Sequence, residues 1–280
     1  MVVAQSKVSP LLRFLPKKIQ SRIDKPVVSV LRLQGTISAQ KGSKYINLEN
    51  SRKQIDKAFS SKKLESVLVS VNSPGGSPVQ SDLVTSYIQM KSKKQKVPVV
   101  VFVEDMAASG GYWLACAGSE IYSSRSSVLG SLGVIYFNLG VQQLIEKLGV
   151  ERRIITAGDN KALMDPLSPM KDEDVRIIKT MLENTHKHFV DHVKKNRGER
   201  LKGSDEELFN GGVWTGEPAQ ELGLIDGIQD MDEYIQNKYG DNVKLNRIKS
   251  KGAGLADLLG LSFSAQNEQD LLENFGKLKI

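Results

Sequence analysis

The chain has 280 residues, 40% of them hydrophobic, a net charge of +7 and one cysteine. That is enough apolar material for a substantial core, while a lone cysteine excludes an intrachain disulfide and a cysteine-based metal cluster. No stretch reaches the roughly 18 consecutive apolar residues of a membrane-spanning helix. Residues 1–26 hold +5 of the charge, so no basic stripe with interleaved aromatics is left in the body to recognise nucleic acid.

The head, residues 1–26, places Leu11, Leu12, Phe14, Leu15 and Ile19 among cations. This suits a membrane-surface helix making peripheral contact, or an organellar presequence such as a mitochondrial one. A disordered basic tail is the third reading. From residue 27 apolar runs alternate with helical spacing: strands are expected at Val27 to Leu33, Ser66 to Val71 and Val97 to Val103, with helices over Ile46 to Phe59 and Val79 to Lys91. A second set follows, with a short strand near Glu120, a helix near Leu139 to Leu148 and a strand at Arg152 to Thr156. A long helix is expected from about Lys171 to Asn196, with acidic residues in its first turn and lysines toward its end. Val213 and Trp214 read as a strand entering a helix that Gly223 closes. Beyond residue 240 the texture changes, so residues 27–240 are expected to form an α/β domain and residues 241–280 an appended tail.

Two loops follow predicted buried strands and precede helices. In Asn72-Ser73-Pro74-Gly75-Gly76 the paired glycines let the backbone approach a ligand and aim amide N–H groups into a site, as an oxyanion hole requires; a plain turn is the bland alternative. In Met106-Ala107-Ala108-Ser109-Gly110-Gly111-Tyr112 a serine stands at a sharp bend, with the Gly110 N–H placed to stabilise an oxyanion formed on attack at Ser109. Its structural alternative is a helix-capping serine. Cys116, in a small and apolar run just beyond, is expected to be a packed thiol.

A serine nucleophile needs a base. His186, His188 and His192 all fall on one late helix; His188 and His192 have the spacing of half a metal site, but a solvated face is the expected reading. Lys161, on the loop after the expected strand at 152–156 and among apolar neighbours, is the remaining candidate. A lysine in water is protonated at neutral pH and serves as a base only where burial disfavours its charge.

The combination resembles the signal peptide peptidase A family, peptidase family S49, in its short single-repeat form. The resemblance rests on the two loops above, on Gly130-Ser131-Leu132-Gly133-Val134, on the Gly158 to Pro166 loop and on Thr215-Gly216 through Asp226, and covers roughly residues 27–232. It implies an α/β Clp protease/crotonase-like fold of repeated strand-strand-helix units. It further implies Ser109 as nucleophile, Lys161 as base, Ser131 orienting the lysine amine, and the Gly76 and Gly110 N–H groups as the oxyanion hole, with no cofactor. The implied substrates are signal peptides and other unfolded hydrophobic peptides. In short members the resemblance suggests a homo-oligomeric ring in which Ser109 of one subunit meets Lys161 of its neighbour. Bacterial members usually carry an N-terminal membrane span, and here the basic amphipathic head stands in that place.

Three rival readings remain. A Clp-like Ser-His-Asp protease expects a histidine soon after the nucleophile helix, and none occurs between Ser109 and His186. A crotonase-like acyl-CoA enzyme would use the paired N–H groups but leaves Ser109 and Lys161 together unexplained. The third is a catalytically silent ring scaffold.

Overall fold

The computed structural model describes residues 25–42 and 44–248. The basic head, but for its last two residues, and the tail beyond residue 248 lie outside the described residues.

Valine-rich runs that are buried on both faces form a parallel sheet. Its continuous path runs β10 (Lys244–Arg247), β1 (Val27–Gln34), β4 (Leu64–Ser73), β5 (Val99–Ala108), β6 (Glu120–Ser123), β9 (Gly227–Ile228). Two short strands, β2 (Thr36–Ile37) and β3 (Tyr45–Ile46), pair with each other beside it. One face is covered by α1 (Leu48–Ala58), α2 (Pro78–Gln95), α3 (Gly110–Ala115) and the long α5 (Asp172–Arg197), which share a core with Leu31, Val69, Val101 and Ile121. The other face carries α6 (Met231–Tyr239), whose Tyr234 and Ile235 pack on Val28, Leu68 and Phe102.

The helices begin where the sequence supplies caps. Asn47 accepts a hydrogen bond from Asn50 N at the start of α1, and Ser77 accepts one from Gln80 N ahead of Pro78 at the start of α2.

β5 positions the site. Its first half pairs with β6 and its second half with β7 (Val128–Gly130), which in turn pairs antiparallel with β8 (Val213–Trp214). On its other side the register with β4 jumps from Val71↔Val103 to Ser73↔Ala107. The two extra residues on β5 form a bulge that swings the strand out of its first pairing and into its second.

Two expectations are corrected. Residues 151–156 form no strand, and Ile155 is fully exposed; among the described residues no strand pairs with this run, and without a partner it forms no ladder. Residues 244–247 belong to the sheet as β10, in parallel register with Val27 to Val30. The sheet therefore continues past residue 240, where the tail was expected to begin.

Candidate active site

Ser109 stands between β5 and α3 with φ 51 and ψ −121. A side chain at such a positive φ costs about 1–3 kcal/mol and persists only where the surroundings hold it. Here they do so through the backbone. Ser109 N donates to Gly130 O at 2.7 Å, and Ser109 O accepts from Tyr112 N at 2.9 Å and Trp113 N at 3.1 Å. The hydroxyl makes no capping bond to the helix. The capping alternative is thereby removed, and the side chain sits on a strained strand-to-helix elbow of the kind that presents a nucleophile.

The glycine loop abuts this elbow. A Cβ built on Gly75 would lie 2.9 Å from both Ser109 Cβ and Gly110 N, and one on Gly76 would lie 2.1 Å from Ile37 O. Both positions have positive φ, so glycine is required for conformation as well as space. In the parallel bridge between Ile37 and Gly76, Ile37 N donates to Gly75 O and Ser77 N donates to Ile37 O. The bridge thus employs residues 75 and 77 and turns the N–H of Gly76 to the opposite side. Gly110 is the first residue of α3, where an amide N–H has no acceptor within the helix. A Cβ on Gly110 would be 3.3 Å from Gly76 N, so the two residues lie side by side, and both line the same cavity.

Ser131 follows β7 as Ser109 follows β5. The register Ala107↔Leu129 and Ala108↔Gly130 continues to these two serines, and Ser131 has φ 54. Ser131 N donates to Gly212 O at 2.6 Å, which fixes the residue from the β8 side. Ser109, Gly110, Gly76 and Ser131 line one cavity of about 580 Å³ walled by Trp113, Val134, Ile135 and Phe189. The groove between α4 (Gln142–Lys147) and residues 164–170 is larger, about 690 Å³, but Ser109, Gly76 and Gly110 do not line it.

Lys161 is not brought to this cavity. It lies exposed on a run of turns over residues 157–164 and is absent from the cavity lining. The expectation of a lysine surrounded by apolar neighbours is corrected for the single chain, because the strand that was to precede it does not form.

The histidines also depart from a solvated face. His188 is exposed, but His186 Nε2 lies 3.1 Å from Leu132 O, and the His192 ring stacks on Trp113 at 4.7 Å with Nε2 3.2 Å from Trp113 O. Burial pushes the His192 imidazole down to about 4. No histidine lines the Ser109 cavity. Among the described residues no group of three or more His, Cys, Asp or Glu is placed to hold a metal ion, and no helix is long and apolar enough to cross a membrane. Cys116 is buried, and desolvation pushes its thiol up to about 12, which makes it a packing group.

Several site residues were not singled out in the sequence. Trp113 lies four residues after Ser109, one helical turn on, and its spacing alone would have put it beside the nucleophile. Thr185, Phe189, Asn210 and Gly211 reach the cavity from distant segments and carry no local signal.

The model of Peptidase family S49 matches residues 91–246, a span that holds Ser109, Ser131 and Lys161. The chain belongs to peptidase family S49. Among similar proteins, the Brucella abortus protein named Na(+)/H(+) antiporter NhaA is 42% identical over 241 residues, which is 85% of this chain and 32% of the relative. Serine protease SPPA, chloroplastic, of Arabidopsis thaliana is 28% identical over 260 residues, 90% of this chain and 37% of the relative. The S49 chain thus spans about a third of the length of these relatives. A solved membrane-bound stomatin-specific protease superposes with a TM-score of 0.51 at 17% identity, covering 80% of this chain and 98% of that one. The likeness shows the fold, which is the Clp protease/crotonase-like α/β fold expected from the sequence.

Proposed function

We propose that this chain is a serine endopeptidase in which Ser109 is the nucleophile and Lys161 of a second copy is the general base. The observation that carries the proposal is the Ser109 elbow: a hydroxyl free of capping, on strained backbone, beside two amide N–H groups at Gly76 and Gly110. Neutral Lys161 takes the proton from Ser109 Oγ as that oxygen attacks the peptide carbonyl, and the negative charge moves onto the carbonyl oxygen between the two N–H groups. The C–N bond then breaks, the ammonium of Lys161 returns the proton to the leaving amine, and water hydrolyses the acyl ester in a second round through the same base. Ser131, beside Ser109 at the end of the adjacent strand, is assigned to orient the lysine amine.

A shared site is supported by where Lys161 stands. The segment from residue 134 to 170 exposes Ile135 (83%), Phe137 (75%), Leu139 (64%), Ile155 (100%) and Met170 (73%). Exposed apolar side chains of that kind, on a chain whose Lys161 does not line the Ser109 cavity, suit contact with another copy, which would also desolvate Lys161. The walls of the cavity, with Trp113, Val134, Ile135 and Phe189, suit apolar peptide side chains. Unfolded hydrophobic peptides, signal peptides among them, are the proposed substrates.

Reaction with a fluorophosphonate followed by intact-mass and peptide mapping tests the nucleophile. The expected outcome is a single adduct on Ser109, no adduct on Ser109→Ala, and loss of hydrolysis of a fluorogenic hydrophobic peptide in step with labelling. Full peptide hydrolysis by purified Ser109→Ala would overturn the assignment.

A further inference from the structure

The turn that presents Lys161 is held from four directions by side chains and backbone outside it. Within the turn, Lys161 N donates to Gly158 O, Leu163 N to Asn160 O and Asp165 N to Ala162 O. Its exit is Met164, which has φ 52 although it is not glycine, a conformation that must be imposed from outside. Both backbone groups of Met164 are claimed: its N–H donates to Asp174 Oδ2 at 3.0 Å, and its carbonyl accepts from Asn138 Nδ2 at 2.7 Å. Asp174 is 8% exposed, sits in the first turn of α5, and has this as its one side-chain hydrogen bond among the described residues. A carboxylate withdrawn from water for one backbone N–H is stabilised there by the helix N-terminus behind it. Next in the chain, Asp165 accepts from Ser168 Oγ at 2.6 Å and Leu167 N at 3.3 Å and is paired with Arg152 at 2.9 Å. Val141 N donates to Pro166 O at 2.8 Å and closes the set.

We propose that Asp174 and Asp165 are positioning residues for Lys161: they clamp the exit of its turn so that the amine is presented in one place before a second copy arrives. This rests on the reading of Lys161 as the base. A base on an exposed turn acts efficiently only if its position is fixed in advance, since misplacement by about an ångström can cost on the order of 100-fold in rate. Neither carboxylate lines the Ser109 cavity, so the effect is exerted through Lys161.

The test compares the assembled full chain with Asp174→Ala, Asp174→Asn, Asp165→Ala and Lys161→Ala, measuring kcat and KM on a fluorogenic hydrophobic peptide together with mass in solution. Asp174→Ala and Asp165→Ala are expected to lower kcat roughly 10- to 100-fold, with KM within about twofold and assembly unchanged, because the peptide cavity is untouched. Asp174→Asn keeps an oxygen for the Met164 N–H and is expected to recover most of the rate. Wild-type kcat in both alanine variants beside an inactive Lys161→Ala would overturn the clamp while leaving the lysine reading standing. A fall in kcat matched by lost assembly or an equal rise in KM in both alanine variants would reduce the carboxylates to structural groups and also overturn it. A fully active Lys161→Ala would remove the base itself, and the clamp with it.

Discussion

At Ser109 the backbone, and not the hydroxyl, carries every hydrogen bond made among the described residues, which leaves the side chain free of capping while the elbow stays rigid. The same arrangement makes Gly75 irreplaceable, since any Cβ there meets the Ser109 side chain and the first N–H of α3. His192 belongs to the support of this site, because it stacks on the ring of Trp113, whose backbone N–H donates to Ser109 O. Its desolvation, opposed by the Trp113 carbonyl and the Asp82 charge and assisted by Lys195, holds it neutral down to about 4. The unfolded chain takes up a proton on this residue near pH 6.5 that the folded chain refuses. Stability is therefore fully present above pH 6.5 and falls between about 6.5 and 4, by up to about 3 kcal/mol. Urea unfolding across that range should show the loss in wild type and a shallower one in His192→Gln; identical slopes would contradict it.

The strand-to-helix placement of Ser109 and of the Gly75-Gly76 pair was legible in the sequence because it is local, written in neighbouring residues. The environment of His192 was not, since it depends on Trp113, 79 positions away in the chain. Lys161 was legible as a residue type in a suggestive loop, but its surroundings were misread, since they depended on a strand at 152–156 that finds no partner.

Among the elements, α5 does most to join the site to the rest of the fold. Its start holds the Lys161 turn, its middle supplies Thr185 and Phe189 to the cavity, and its end is locked by a buried guanidinium. The Arg197 side chain, 1% exposed, donates to Asp226 Oδ2 at 2.7 Å and to Gly223 O, and Asp226 Oδ2 also accepts from Ile121 N at 2.7 Å. Desolvation works to raise the Asp226 carboxyl, but Arg197, the Ile121 N–H and Arg200 together hold it below the usual carboxylate range. The contribution is thus present above about pH 4 and is lost as the carboxyl protonates at lower pH. Arg197→Leu leaves that carboxylate half-buried without its main partner and is expected to destabilise the fold by about 3 kcal/mol at neutral pH in chemical denaturation. A loss below about 1 kcal/mol would show that the network relaxes without it. The long strands β1, β4 and β5 were readable from their valine runs, whereas the short β2, β3, β7 and β9 and the edge strand β10 were not: Lys244-Leu245-Asn246-Arg247 has little apolar content and is a strand only because β1 offers it an open edge.

For the molecule as a whole, the α/β fold brings Ser109, Gly76, Gly110 and Ser131 into one cavity while leaving Lys161 exposed on a segment that also exposes Ile135, Phe137 and Ile155. A single copy is accordingly expected to be an incomplete enzyme. The most direct test mixes Ser109→Ala with Lys161→Ala after verified subunit exchange and assays the hydrophobic peptide. The account predicts that each variant alone is inactive and that the mixture regains activity, because one copy supplies an intact serine and the other an intact lysine. No recovery in a mixture shown to have exchanged subunits would contradict a site shared between copies.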